Sequence, residues 1–286
     1  MSHFKDKLFI GFQYLAPQQF LSSAAGCLAE CETTCVKNFF IKHFIRQYGV
    51  NMAEAAEPDY TQYKNFNAFF TRALAQGVRP MAAGNSVISP ADGAISQLGN
   101  IEDGRIFQAK GQCYTALELL AGNQTLAQHF TNGIFATIYL SPRDYHRVHA
   151  PISGTLSDMI YVPGDLFSVN TTTANHVPRL FSRNERLITV FDTEMGKVAV
   201  VLVGAMIVAG IETAWAGQIT PPRKKSILRF ETKATPVQLQ KGDELGRFKL
   251  GSTAILLFEK DKVRLNETLN ATSPVRMGDA LAAMRS

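Results

Sequence analysis

Apolar residues recur at helical spacing up to about residue 78 and give way beyond it to short alternating or continuous runs. Phe4, Leu8, Phe12 and Leu15 share one stripe with Phe9 beside it, and Phe39, Phe40, Phe44 and Ile45 form a second. Phe66, Phe69, Phe70 and Leu74 form a third; Pro17, Gly49 and Pro58 mark breaks, and Arg79-Pro80 ends the helical pattern. From Val87 onward, Ile106 to Ala109, Phe135 to Leu140, Ile188 to Phe191 and Ala254 to Phe258 read as strands separated by Gly, Pro, Asn and Asp. One helix is predicted over Leu117 to Phe130. The pattern gives an α+β fold: an N-terminal amphipathic helical lobe, residues 1–78, followed by a β-rich domain, residues 79–286.

Composition is consistent with this division. The chain has 286 residues, 46% hydrophobic and 19% charged, enough to bury one sizeable core and a smaller helical lobe. Its longest apolar run, Val198 to Ile211, is shorter than the roughly 20 residues that span a bilayer. Lys5, Asp6 and Lys7 lead into a short amphipathic segment rather than a signal peptide, so the chain is expected on the cytoplasmic side. Cys27, Cys31 and Cys35 are spaced by four, which suits small residues packing between helices better than a structural zinc site; no metal is expected. The net charge of +5 favours anionic partners, and the chain lacks nucleic-acid-binding signatures. Lys5 and Lys7 beside the first stripe, and Lys37, Lys42 and Arg46 beside the second, suit an anionic membrane surface. An amphipathic helix packed on its own core has the same pattern.

Three segments carry candidate chemistry. Leu250-Gly251-Ser252-Thr253 precedes the apolar run Ala254 to Phe258. A Gly-Ser bond suits backbone self-cleavage, because glycine lets the chain take a conformation in which the serine hydroxyl reaches the preceding carbonyl. Ser89-Pro90-Ala91-Asp92-Gly93 offers an aspartate in a turn, and Ser141 to Pro151 carries His146 and His149. Together these segments resemble the phosphatidylserine decarboxylase proenzyme family of pyruvoyl-dependent lyases. The resemblance extends through Phe69-Phe70-Thr71-Arg72 with Arg79-Pro80, Lys110-Gly111-Gln112, Tyr161-Val162-Pro163-Gly164, Phe167-Ser168-Val169-Asn170, Asn184-Glu185-Arg186 and Glu212 to Gly217, covering most of the chain from about residue 65.

The resemblance implies a catalytic role for the β-rich domain and cleavage between Gly251 and Ser252. Ser252 would attack the Gly251 carbonyl with His149 as base and Asp92 orienting the imidazole. Elimination would then leave a pyruvoyl group at position 252, a covalent cofactor that forms a Schiff base with phosphatidylserine and releases phosphatidylethanolamine. His146 is the candidate proton donor in decarboxylation, although on an extended strand it points away from His149. Tyr161 to Asn170 would line the substrate entrance, and Thr220 to Lys225 would touch headgroups. The resemblance also implies a homodimer of cleaved protomers, peripheral on the cytoplasmic side of the cell membrane. Two rival functions are a membrane-associated hydrolase using Ser252, His149 and Asp92 on an intact chain, and a noncatalytic lipid-binding protein. The hydrolase lacks the Gly-x-Ser-x-Gly elbow.

Overall fold

In the computed structural model, residues 2–109, 111–206, 210–220, 226–232, 236–249 and 252–285 are described. Lys110, Pro221 to Lys225, Gly251 of the expected cleavage site and part of the Val198–Ile211 run lie outside them. The lobe holds α1 (Ser2–Leu15), α2 (Gln18–Ala29), α3 (Thr34–Tyr48) and a short α4 (Phe66–Phe70). Phe44, Ile45 and Phe66 pack around Ile41, Val50, Phe69 and Phe70, giving the lobe a small core of its own.

The rest contains β1 (Ser86–Ile88), β2 (Gly93–Asn100), β3 (Arg105–Ala109), β4 (Gln112–Thr115), α5 (Ala116–Leu119), α6 (Gln124–Phe130), β5 (Ile134–Leu140), β6 (Arg147–His149), β7 (Gly154–Val162), α7 (Thr171–His176), α8 (Leu180–Arg183), β8 (Arg186–Thr193) and β9 (Gly196–Val203). It continues with β10 (Gly210–Thr213), β11 (Gly217–Gln218), β12 (Leu228–Arg229), β13 (Gln238–Leu239), β14 (Glu244–Lys249), β15 (Ser252–Phe258), β16 (Val263–Leu265), β17 (Pro274–Val275) and β18 (Ala280–Met284). The main sheet runs β12-β7-β8-β9-β15-β5-β2-β17, with β13 also on β7. One face buries Leu140, Tyr161, Leu187, Leu202 and Ala254 together with Val148, Ile211 and Leu245 of the β11-β10-β14-β6 sheet. The other buries Ile160, Ile188, Val203 and Ile255 under residues of α5 to α8. Because both faces are covered, β15 is buried along its whole length and continuously apolar from Ala254 to Phe258 instead of alternating.

Several expectations change. The Leu117–Phe130 segment is two helices: Ala121 and Gly122 take left-handed backbone, and separate N-caps at Thr115 and Asn123 start each piece. The third stripe stops at Phe70, and Leu74 instead bridges Ala55. The second stripe divides, with Phe44 and Ile45 facing the lobe core while Phe39 and Phe40 face outward. Lys37 is buried and donates to the Thr61 carbonyl at 2.7 Å, so it is withheld from any headgroup. Cys27 and Cys35 are exposed rather than packed, and no metal-binding cluster occurs among the described residues.

The lobe is tied to the β-rich part by side chains of α1 and α2 that reach residues 166–173. Gln13, itself buried in α1, accepts from the Ser168 amide at 2.8 Å and donates to Thr173 at 3.1 Å; Gln18 accepts from the Leu166 amide at 2.7 Å. These contacts fix one face of α1 and leave Leu8, Phe12 and Leu15 outward, 66%, 57% and 87% exposed. No helix among the described residues is long and apolar enough to cross a membrane.

Candidate active site

Ser252 opens β15 at the centre of the main sheet, directly opposite Leu140 at the end of β5. It is fully buried, and its Oγ has no hydrogen-bond partner. On the far side of β5, Ala94 pairs with Tyr139, which sets Asp92 beside the same strand end. Only glycine fits at position 93, where a Cβ would lie 2.3 Å from the Tyr139 carbonyl oxygen. Asp92 and Ser252 thus flank the end of β5, and the chain leaving it turns through Ser141 to Asp144 to supply both histidines. That turn closes on the Asp144 carboxylate, which accepts from the Ser141 amide and hydroxyl, each at 2.7 Å.

His149 is tied to the Asp92 turn by its amide, which donates to the Pro90 carbonyl at 2.8 Å. Its ring has other partners. Nδ1 lies 2.8 Å from the Gly242 carbonyl, an acceptor only, so Nδ1 carries the proton and Nε2 accepts from the Tyr145 hydroxyl at 2.9 Å. Burial holds the imidazole below its usual pKa, while the Gly242 hydrogen bond and the nearby Glu244 and Asp92 charges pull it upward.

Asp92 does not take the expected place on the imidazole. Its Oδ1 accepts from the Arg79 Nε at 3.0 Å and from the Met277 amide at 2.8 Å, and Arg79 Nη2 binds Oδ2. The same guanidinium reaches Glu54 at 2.6 Å. A charge-assisted fork with two carboxylates outcompetes a neutral imidazole N–H that already has a carbonyl acceptor. Arg79, which the sequence offered as the end of the lobe and as part of the family resemblance but with no role of its own, is therefore a central residue of the site. A cavity of about 320 Å³ opens beside it, with Arg72, Arg143, Arg276 and Tyr145 in its walls.

His146 points elsewhere, as the strand alternation requires. Its Nδ1 donates to the Asp144 carbonyl at 2.8 Å, its Nε2 has no partner, and its ring lies 4.0 Å from that of Phe70 in the lobe. Complete burial, with Arg72 adding to it, lowers its pKa to about 3. Arg147 between the histidines pairs with Glu244 at 2.7 Å. Tyr145 and Gly242 were not singled out in the sequence; the first sat inside the histidine motif, and the second carried no signal. Of the Tyr161 to Asn170 segment, residues 164–167 meet α1 and α2 across a cleft of about 410 Å³.

Comparison with known proteins identifies the family. A profile of the phosphatidylserine decarboxylase family matches residues 66–283, and a second profile, described as PSD, matches residues 8–49. A phosphatidylserine decarboxylase proenzyme of Pseudomonas fluorescens Pf-5 is 59% identical over 280 residues, covering 97% of each chain. Those of Pseudomonas entomophila L48 and Stutzerimonas stutzeri A1501 are 59% and 58% identical, each over 97% of this chain and over 98% and 94% of their own. The chain therefore belongs to the phosphatidylserine decarboxylase family.

Proposed function

We propose that this chain cleaves itself between Gly251 and Ser252, converts Ser252 into a pyruvoyl group, and uses it to decarboxylate phosphatidylserine at an anionic membrane surface. The observation that carries the first step is Ser252 itself. A buried hydroxyl without a partner costs about 1–3 kcal/mol, a cost accepted where the group has another task. Its position at the head of a buried strand, paired with β5 there and with both neighbours from Thr253 onward, also suits a carbonyl group that must be kept from water. When present, that group supplies a ketone that condenses with the substrate amine and withdraws electrons as carbon dioxide leaves.

The chain's own residues divide the remaining work. His149 Nε2 carries the lone pair that can receive the Ser252 proton once the Tyr145 hydroxyl gives way. Asp92 favours the charged imidazolium through its field rather than through an N–H bond. His146 is the proposed proton donor to carbon. With its one N–H on the Asp144 carbonyl, it must first take up a proton at Nε2, an uphill step in its buried place. Outward-facing Leu8, Phe12, Leu15, Phe20 and Phe39, with exposed Lys5, Lys7, Lys42 and Arg46 among them, support peripheral attachment on the cytoplasmic side. The homodimer of cleaved protomers is carried over from the family resemblance, and light scattering would check it.

A denaturing intact-mass spectrum of the purified protein tests the proposal. The expected result is one fragment ending at Gly251 and a second, beginning at position 252, with pyruvoyl in place of serine. A single uncleaved chain that decarboxylates phosphatidylserine would overturn it. The hydrolase and the noncatalytic binder gain no support from the relatives, all of which are decarboxylase proenzymes.

A further inference from the structure

Glu185 is a half-buried carboxylate to which the mechanism above gives no task. It stands immediately before β8, on the main-sheet face that holds Leu187, Leu202 and Ala254. Two-residue alternation puts Glu185, Gly204 and Ser252 on that same face. Thr253 pairs with Val203, which brings Ser252 level with Gly204, and the Gly204 amide donates to the Glu185 carbonyl at 2.8 Å. The side chain of Glu185 leans over this glycine: a Cβ built on Gly204 would lie 3.9 Å from the Glu185 Oε1. The sheet end therefore presents a carboxylate, a residue without a side chain, and the reactive position on adjacent strands.

The carboxylate is held in place. Tyr161 on β7 donates its hydroxyl to Glu185 Oε2 at 2.9 Å, and the hydroxyl of buried Thr220 is a second donor. Asn184 anchors the backbone on either side, donating to the Phe167 and Gly204 carbonyls at 2.8 and 2.9 Å. Among the described residues, Tyr161 is the titratable group facing the carboxylate. The neighbouring Arg186 turns to the other face, where it donates to the Leu119 and Glu118 carbonyls. Burial raises the pKa of Glu185, with the Tyr161 and Thr220 hydrogen bonds opposing it, which moves a carboxylate toward the range of a useful base.

We propose that Glu185 is the base that takes a proton from the ammonium group of the incoming phospholipid, and that Gly204 leaves the space in which the nitrogen meets position 252. An ammonium nitrogen has no lone pair to offer a carbonyl. One N–H bond must break with its electron pair left on nitrogen, and the proton forms the O–H of the Glu185 carboxyl group. The inference rests on the reading of position 252 given above.

The test compares wild type, Glu185→Gln and Gly204→Ala, using glycerophosphoserine and cyanoborohydride to trap the amine on the small fragment, read by mass. Glu185→Gln is expected to cleave itself like wild type yet trap at least about 100-fold more slowly at pH 7. Its rate should then recover about tenfold per pH unit as the amine loses its own proton, a rescue that a packing defect would not show. The alanine Cβ at position 204 would lie 3.4 Å from the nearest heavy atom, so it fits the fold while filling the space. Gly204→Ala should self-cleave and fail to trap at every pH. In the Ser252→Ala chain, an infrared pH titration read as the difference against the same chain with Glu185→Gln should place the Glu185 carboxyl midpoint above that of ordinary glutamates. Wild-type trapping by Glu185→Gln at pH 7, loss without recovery at high pH, normal trapping by Gly204→Ala, or a Glu185 midpoint at or below the ordinary range would each overturn the proposal. If Glu185→Gln fails to self-cleave, Gly204→Ala and the infrared measurement decide. A wild-type chain that cleaves nothing and traps nothing would instead overturn the reading of position 252.

Discussion

The head of β15 and the outer face of α1 break the ordinary rules of folding in opposite senses. At β15 a hydroxyl is buried with nothing to bond, whereas on α1 Leu8, Phe12 and Leu15 face outward. The first costs about 1–3 kcal/mol and the second forgoes about 1.5–3 kcal/mol for each side chain left unburied. Neither is repaid within the described chain. Departures of this kind gather where a protein acts rather than where it holds together, and here they coincide with the two proposed tasks: reaction at position 252 and attachment through the lobe.

The sharpest way to break that comparison is Ser252→Ala. Self-cleavage and decarboxylation should both vanish, while the melting temperature stays level or rises because an unpaired buried hydroxyl has been removed. Intact mass and calorimetry on the same sample check the two halves. Self-cleavage persisting in this variant would remove position 252 from the mechanism; a large fall in stability would mean that the hydroxyl has a structural partner after all.

The next effect in size lies where the two regions meet. Arg79→Ala, made in the uncleaved Ser252→Ala chain so that unfolding involves one polypeptide, strips the shared cation from Asp92 and Glu54. Loss of one member of a buried ion pair costs about 3–5 kcal/mol, measured here as a shift of the urea midpoint. A change below about 1 kcal/mol would mean that the lobe and the sheet are coupled by other contacts, such as Gln13, Gln18 and the Arg147 bond to the Thr71 carbonyl.

How much of this was readable in one dimension differs between the regions for physical reasons. The strands at Phe135 to Leu140 and Ala254 to Phe258 were legible because burial on both faces writes a continuous apolar run. The neighbourhood of Asp92, His149 and Ser252 was legible through motif resemblance, and the sheet register brings Asp92 and Ser252 to one strand end. Their partners were not. Gly242 meets His149 through its backbone carbonyl, which any residue possesses, and Arg79 finds Asp92 only because the end of the lobe docks at the start of β2. The division of the second stripe between Phe44 and Phe39 was equally invisible, since inward and outward apolar faces share one periodicity.

His146 gives a smaller, pH-dependent effect. Its pKa is about 3 in the fold and 6.5 as a free side chain, so the unfolded chain binds the extra proton. Its contribution is constant above pH 6.5 and is lost as pH falls toward 3, at about 1.4 kcal/mol per unit. In the Ser252→Ala chain, His146→Gln should reduce the slope of unfolding free energy between pH 6.5 and 5 by roughly one proton. An unchanged slope would mean that His146 titrates normally in the folded chain, so that roughly a quarter of the proton donor is charged at pH 7.

The smallest effect on stability belongs to α1 and says most about the comparison. Replacing Leu8, Phe12 and Leu15 together by serine removes apolar surface that already faces solvent, so unfolding should change by no more than about 0.5 kcal/mol per site. Self-cleavage, which depends on residues of the β-rich part, should proceed as in wild type. Association with vesicles containing anionic lipid should nevertheless fall, because each buried apolar side chain would have contributed to binding in proportion to its area. A loss of 2 kcal/mol or more in stability would show that this face is covered by protein in solution, and unchanged vesicle binding would move the attachment surface to another part of the lobe. Weaker binding with unchanged stability and cleavage is the one combination that keeps the two departures apart, assigning the exposed face to the membrane and the buried hydroxyl to chemistry.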